Sequence, residues 1–403
     1  MKILHVIPSV SQVRGGTSQA VLDMVKALRA NNVDAEIATT NDNGSGLLDV
    51  PLQKRIEYQQ VPVWFFSRFS PNVASVREYA FSLELTTWLW NNIYKYDILH
   101  IHAIFSYPST IAMAIARLKN VPYIVLPHGL LCTWSLQQST RKKQIYLRLI
   151  ERANLNNSQA IHFTSQQEQQ ESQLGLSVAS CVLPLGLSLP TPLLDARLGL
   201  RQRFNIPAEE PVILFLSRLH PKKGLDYLIS SLSKVSHHRF SFILAGSGTP
   251  EYEAEINSLL ISSGLRDRTH VVGFVQGEEK DLLIQGSDLF VLTSHSENFG
   301  VAVLEALAVG TTVLLTPGVA LASIVKQYQL GYVTELDVLA IANALEDYLN
   351  DPQAAKQMGD RARQLVSEKY TWRQIACEMQ QMYVEILQRG GWGQGGEWKK
   401  IWY

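Results

Sequence analysis

Short apolar runs alternate with helical stripes along almost the whole chain. Residues 3–7, 33–39, 97–102, 122–126 and 160–164 have strand length, and residues 17–30, 79–94 and 109–118 between them place apolar side chains at helical spacing. A second series begins after the Pro-containing stretch 189–195. Its predicted strands are 212–217, 240–245, 270–274, 288–292 and 312–315, and its predicted helices are 224–235, 251–263, 278–285 and 301–309. Such alternation predicts parallel sheets with helices on both faces. The chain has 403 residues, too many for one ordinary core. The reading is therefore α/β, with two Rossmann-like domains facing an interdomain cleft. Residues 1–188 form the first and 189–370 the second. A helix at 371–388 packs back on the first, and the glycine-rich segment 389–403 is a loose tail.

The stretch 288–310 predicts strand, loop and helix. Leu289 to Leu292 is apolar, 293–296 is small and polar, and Val301, Leu304 and Leu307 share a helical stripe that Gly310 closes as a C-cap. Glu297 falls in the loop and Glu305 on the helix. Ligands of parallel sheets bind at the carboxyl ends of strands, where helix N-termini aim free N–H groups. Backbone N–H groups near Phe299, Gly300 and Val301 could meet an anion while the two carboxylates accept hydroxyls, a combination that a nucleotide sugar satisfies. The same spacing also suits an ordinary α/β unit with two surface acids.

A second group follows strand 212–217: Arg218-Leu-His-Pro-Lys-Lys-Gly224. An arginine fork and the point charge of Lys223 can neutralise a diphosphate, or the segment is simply a basic turn before a helix. Gly15-Gly16, before helix 17–30, lets backbone approach a ligand or makes a plain turn. His128 sits at a carboxyl strand end in Pro127-His128-Gly129, either as a site residue or as a structural one. His100 and His102 share a strand face, but no third ligand lies near them in sequence, so no metal is expected.

Composition narrows the class. Hydrophobic residues make up 46% and charged residues 18% of the chain, which is globular rather than disordered. Residues 1–188 carry 16 basic against 12 acidic side chains, and residues 189–403 carry 20 against 24. A slightly basic first half fits an anionic partner or a membrane face. The basic segment 134–152 holds Arg141, Lys142, Lys143, Arg148 and Arg152, and is either a solvated helix face or a surface for an anionic bilayer. The aromatic run 61–69 after Lys54 and Arg55 is core packing or, alternatively, a membrane contact, and the Trp and Lys residues of the tail offer another. Cys132, Cys181 and Cys377 are odd in number and far apart, pointing to a reducing compartment and away from a zinc site. The N-terminus lacks the pattern of a signal peptide. The uncharged stretches 98–116 and 306–325 are interrupted by His, Pro or Gly and are read as buried α/β segments, not spans.

Taken in order, Arg218-Leu-x-Pro-x-Lys-Gly, Leu244-Ala-Gly-Ser-Gly, Val271-Val-Gly-Phe-Val and Glu297-Asn-Phe-Gly…Glu305-Ala-Leu-Ala-x-Gly resemble the GT-B retaining glycosyltransferases of family GT4, group 1. Gly15-Gly16, His128-Gly129 and Leu185-Gly-Leu match weaker signatures of that family, so the resemblance spans nearly the whole chain. It implies that Arg218 and Lys223 bind the donor diphosphate and that Glu305 holds the ribose. Glu297, with Asn298, Phe299 and Gly300, would hold the hexose. Phe274 and Val275 would lie by the base, Gly16 would approach the phosphates from the other domain, and His128 would sit near the reacting centre. His128, Arg218, Lys223 and Glu297 are thus the implied catalytic set.

A UDP- or GDP-linked sugar is the implied donor, and a glycan or lipid-linked oligosaccharide the implied acceptor. No other cofactor, no nucleic acid and no metal clamp is expected, since no Asp-x-Asp is present. The resemblance also implies retention of configuration by front-face attack, with domain closure limiting hydrolysis. The implied location is cytoplasmic, with peripheral contact at the inner membrane surface. Thr311-Thr312-Val313 departs from the Pro-Val frequent in the family, without consequence for the chemistry. A GT-B nucleotide-sugar epimerase and a non-catalytic nucleotide-sugar-binding protein are the alternative readings, and both account for fewer of these residues.

Overall fold

The computed structural model describes residues 1–137, 140–172, 176 and 178–388. The expected tail, 389–403, and the side chain of Lys142 lie outside that description. The chain divides into two compact units, Met1–Gly186 together with the helix from Trp372, and Leu187–Thr371.

In the first unit the strands are β1 (Lys2–Val6), β2 (Asp34–Thr40), β3 (Arg55–Tyr58), β4 (Val61–Phe66), β5 (Ile98–His102), β6 (Tyr123–Leu126), β7 (Ala160–Phe163) and β8 (Ser180–Val182). They form one sheet in the order β8-β7-β6-β5-β1-β2-β4-β3, parallel except for the β3–β4 hairpin at one edge. Helix α1 (Gly16–Ala30) follows β1, α2 (Tyr107–Lys119) follows β5, and the terminal helix Trp372–Gln388 packs beside α1. In β2 six consecutive residues from Ala35 are buried, because the strand lies inside a sheet covered on both faces. The strand part of the aromatic run is core: Val61, Val63, Phe65 and Phe66 are fully buried in β4 and Trp64 is half-buried, whereas Phe69 beyond the strand is exposed. The helix expected at 79–94 is broken. Ala80 is left-handed (φ 56°), and the next helix starts at Leu83, where the Ser82 hydroxyl accepts from Leu85 N–H.

The second unit holds β9 (Val212–Leu216), β10 (Ser241–Ala245), β11 (Thr269–Gly273), β12 (Leu289–Leu292), β13 (Thr312–Leu315) and β14 (Gly331–Val333). Their order is β11-β10-β9-β12-β13-β14, all parallel. Helices α3 (Leu225–Lys234), α4 (Gly277–Gly286) and α5 (Val301–Val309) connect them. α5 was expected to bury one stripe. Val303, Leu304, Ala306, Leu307 and Ala308 are all buried, so the helix is embedded nearly all round and Glu305 is its one polar residue. Gly310 ends it in the left-handed conformation (φ 82°), as the pattern predicted. β14 and the helix Val338–Asn350 were not legible, the strand being short and half-exposed.

The two faces of the first sheet differ. Leu4, Val6, Leu99, Ile101, Val125 and Ile161 join an apolar core on one side. The opposite side carries His5, His100, His102 and His162, each fully buried. The parallel register sets His5 beside His100. Burial pushes His5 down to about 3 and His162 down to about 4, and holds His100 and His102 well below the usual imidazole range. These rings stay neutral in the folded chain, whereas unfolded histidine takes up a proton near pH 6.5. Their contribution to stability is therefore complete above pH 6.5 and drains away as pH falls toward the folded values, at about 1.4 kcal/mol per ring per pH unit. Thermal melting from pH 7.5 to 4.5 should show Tm dropping below pH 6.5, with His162→Gln dropping less steeply. Parallel curves for the two proteins would contradict this assignment.

Candidate active site

The strand order of the second unit reverses between β9 and β12: from β9 the chain moves to β10 and β11, then returns to β12 on the other side. Loops from two adjacent strands diverge at such a point and leave a crevice at the carboxyl ends. Both motif groups stand there. Arg218 and Lys223 follow β9, and Glu297 to Gly300 follow β12.

The loops are stitched together by backbone. His295 N–H donates to Lys222 C=O (2.9 Å), and the Thr293 hydroxyl donates to Gly224 C=O (2.8 Å). Gly224 is left-handed (φ 59°), and a Cβ there would stand 2.1 Å from Thr293 C=O. Only glycine lets the two loops approach this closely. Glu297 is held by a third strand end, its N–H donating to Gly318 C=O (2.7 Å) and its C=O accepting from Ala320 N–H (3.0 Å).

Within this frame Lys223, only 8% exposed, donates through Nζ to Glu297 Oε2. Glu297 is half-buried beside it, and removing either member leaves the other charge without its partner. Gly300 is the N-cap of α5, whose first N–H groups lack intrahelical partners. Glu305 pairs with Lys280 of α4 at 2.5 Å. That pair borders a cavity of about 300 Å³ also lined by Leu189, Asp281, Ile284 and Val309. Arg218 is exposed, and among the described residues no ion pair joins it to either glutamate. Past β11, Phe274 is 68% exposed while Val275 is buried. Asn298 is half-buried and Phe299 buried beside Glu297. Lys280 was missed in the sequence because it belongs to no motif and meets Glu305 only through the packing of α4 on α5.

In the first unit, Gly16 opens α1 behind the N-cap Gly15, and His128 follows β6. His128 is left-handed (φ 53°), as are Ala103 and Phe105 after the neighbouring β5 (φ 65° and 60°). Non-glycine residues in that region cost energy and cluster at functional loops. Glu168 holds this turn, accepting from Gly129 N–H at 2.6 Å and from Thr164 N–H at 2.8 Å. The His128 ring stacks on His102, and burial pushes its pKa down to about 3.

His5, His100 and His102 bring one nitrogen each within 4.8 Å of one another, so the third ligand absent from the local sequence arrives through strand pairing. Their geometry does not converge on an ion. The rings of His100 and His102 are stacked at 24°, and both His100 nitrogens are engaged, by Tyr383 at 2.7 Å and His162 at 3.4 Å.

Residues 15–186 match the glycosyl transferase 4-like domain and residues 197–365 match the glycosyl transferases group 1 family. A D-inositol 3-phosphate glycosyltransferase of Xylanimonas cellulosilytica is 26% identical over 93% of this chain and 93% of its own. An uncharacterized glycosyltransferase of Methanocaldococcus jannaschii is 30% identical over 49% of this chain, and the match spans half of that relative's length. Anabaena HepE, solved in complex with UDP and glucose, superposes with a TM-score of 0.73 at 19% identity, covering 96% of this chain and all of its own.

The Gly224 contact yields a direct test of the frame. Gly224→Ala should destabilise the protein by about 3 kcal/mol or more, through backbone strain and overlap with Thr293 C=O. A melting temperature equal to that of the parent would show that the loops do not meet as described.

Proposed function

Because this chain belongs to the group 1 glycosyltransferases, GT4-type with GT-B architecture, we propose that it moves a hexose from a nucleotide-diphosphate sugar to a glycan or lipid-linked oligosaccharide, with retention of configuration, in the building of a cell-surface polysaccharide. The observation that carries this reading is the convergence of Lys223 and Glu297 at the strand-order reversal, beside the N-terminus of α5.

The chemistry follows from charge. Cleavage of the sugar–diphosphate bond leaves an oxocarbenium-like sugar and an anionic leaving group. Lys223, Arg218 and the N–H groups at Gly300 and Val301 stabilise that anion as it forms. Lys223 turns from Glu297 to the diphosphate, and Glu297 is thereby released to accept hydroxyls of the hexose, beside Asn298 and Phe299. Glu305, held by Lys280 over the 300 Å³ cavity, takes the ribose hydroxyls, with Phe274 and Val275 by the base. In the first unit, Gly16 and His128 stand at a carboxyl sheet end and serve phosphate and hydroxyl contacts. The acceptor oxygen attacks the face from which the phosphate departs, and its proton passes to the leaving phosphate. A UDP-linked donor is the first to test, since HepE was solved with UDP.

Peripheral contact with an anionic bilayer fits the first unit. In the helical segment 140–156, Arg141, Ile145, Arg148, Leu149 and Arg152 are exposed, with Leu149 at 73%. Their spacing sets basic and apolar groups on one stripe, as interfacial helices do. Among the described residues no helix is long and apolar enough to cross a membrane.

With a panel of UDP- and GDP-linked sugars, Lys223→Ala should lose about 2–4 kcal/mol of transition-state stabilisation, read as kcat. Glu305→Gln should weaken donor binding in calorimetry. Undiminished turnover in the first variant, or equal affinity in the second, would remove the corresponding role. For the bilayer contact, flotation with phosphatidylglycerol vesicles should fall in an Arg141→Glu/Arg148→Glu variant, by about 1 kcal/mol or more per arginine. Equal flotation would discard it.

A further inference from the structure

The buried histidines form two hydrogen-bonded strings, and the protons in both can be placed. In the first, His162 Nε2 lies 2.7 Å from Leu183 C=O, a group that only accepts. Nε2 therefore carries the proton and Nδ1 of the same neutral ring accepts. His162 Nδ1 then receives the Nε2 proton of His100 (3.4 Å), and His100 Nδ1 receives the hydroxyl proton of Tyr383 (2.7 Å). Every polar atom along this string finds a partner of the right kind.

The second string runs from His5 to the turn after β6. His5 Nδ1 lies 2.9 Å from His102 Nε2, and His102 Nδ1 lies 3.2 Å from His128 Nε2. Two proton orders satisfy these contacts, and they differ at the buried end. His5 Nε2 is enclosed and meets no hydrogen-bond partner among the described residues. A buried N–H without an acceptor is rarer than an under-satisfied acceptor. His5 is therefore protonated on Nδ1 and donates to His102 Nε2. His102 in turn donates from Nδ1 to His128 Nε2, which leaves the proton of His128 on Nδ1.

We propose that His5 and His102 are positioning residues that fix His128 as a neutral Nδ1–H donor, so that this ring offers substrate a hydrogen bond and not a proton. The depressed pKa of His128, caused by burial, agrees with a ring that stays uncharged at neutral pH. So does the left-handed backbone of His128, which Glu168 holds through Gly129 and so keeps the ring over His102. The imposed form is the opposite of the Nε2–H tautomer that free histidine prefers in water, so the string does work that solvent would not. A neutral imidazole locked as a donor can bind a hydroxyl or a developing oxyanion without competing for the acceptor's proton. The donor role rests on the proposed transfer reaction; the tautomer does not.

The experiment is two-bond ¹H–¹⁵N spectroscopy of the full chain labelled at histidine, with kinetics on the same samples. Wild-type His128 should be protonated on Nδ1. His5→Leu, which removes the donor at the start of the string, should abolish that bias and lower kcat about ten- to hundredfold with donor KM nearly unchanged. His5→Asn, whose amide can still donate from the Nδ1 position, should restore both. His162→Gln, which breaks only the other string, should leave the His128 spectrum as in wild type and controls for general loss of packing. A wild-type His128 protonated on Nε2, or a tautomer insensitive to His5→Leu, would overturn the proposal. Absence of turnover with every nucleotide sugar in wild type would strike the transfer reading and leave the tautomer result standing.

Discussion

The second unit turns on one constraint. A parallel sheet whose strand order reverses must send two neighbouring loops apart, and whatever fills the space between them has to be held there. Here the filling is an ammonium and a carboxylate. Lys223 is buried, and Glu297 is its partner across the β9–β12 reversal. Around them the backbone is fixed by His295, Thr293 and Gly318, and Gly224 has no Cβ to keep the loops apart. The pair is thus set in a rigid frame while its own bond remains exchangeable. Under the proposed reading, a diphosphate replaces Glu297 as the partner of Lys223 and sugar hydroxyls replace Lys223 as the partner of Glu297. One ligand then satisfies both.

The first unit solves a different problem with similar means. One face of its sheet is apolar, while the other buries a row of imidazoles. Buried polar atoms need partners, and these rings find them mainly in one another, in Tyr383 of the terminal helix and in Leu183 C=O. That helix is therefore tied to the sheet by a hydrogen bond as well as by packing. The same network ends at His128, on a turn with left-handed backbone at the carboxyl end of β6, so its order reaches that turn.

The fold was largely legible because parallel strands buried on both faces leave near-continuous apolar runs, and their spacing by helical stripes is hard to mistake. The α/β class with two Rossmann-like domains follows from that pattern. What escaped notice was either too short to carry a period, as in β14, or set by a local cap, as where Ser82 starts a helix that the pattern ran through. The motif glutamates and cations were legible as residues but not as partners. That Lys223 meets Glu297 and Lys280 meets Glu305 depends on which strands and helices lie side by side. Likewise His100 and His102 announce a polar strand face, whereas His5 joins them only through a register invisible one strand at a time.

The most direct measurement is a crystal structure with a nucleoside diphosphate bound. Lys223 Nζ should have left Glu297 and lie on a phosphate oxygen, with the phosphates against the N–H groups of Gly300 and Val301 and the ribose on Glu305. A diphosphate bound elsewhere, with the Lys223–Glu297 pair intact, would contradict the account.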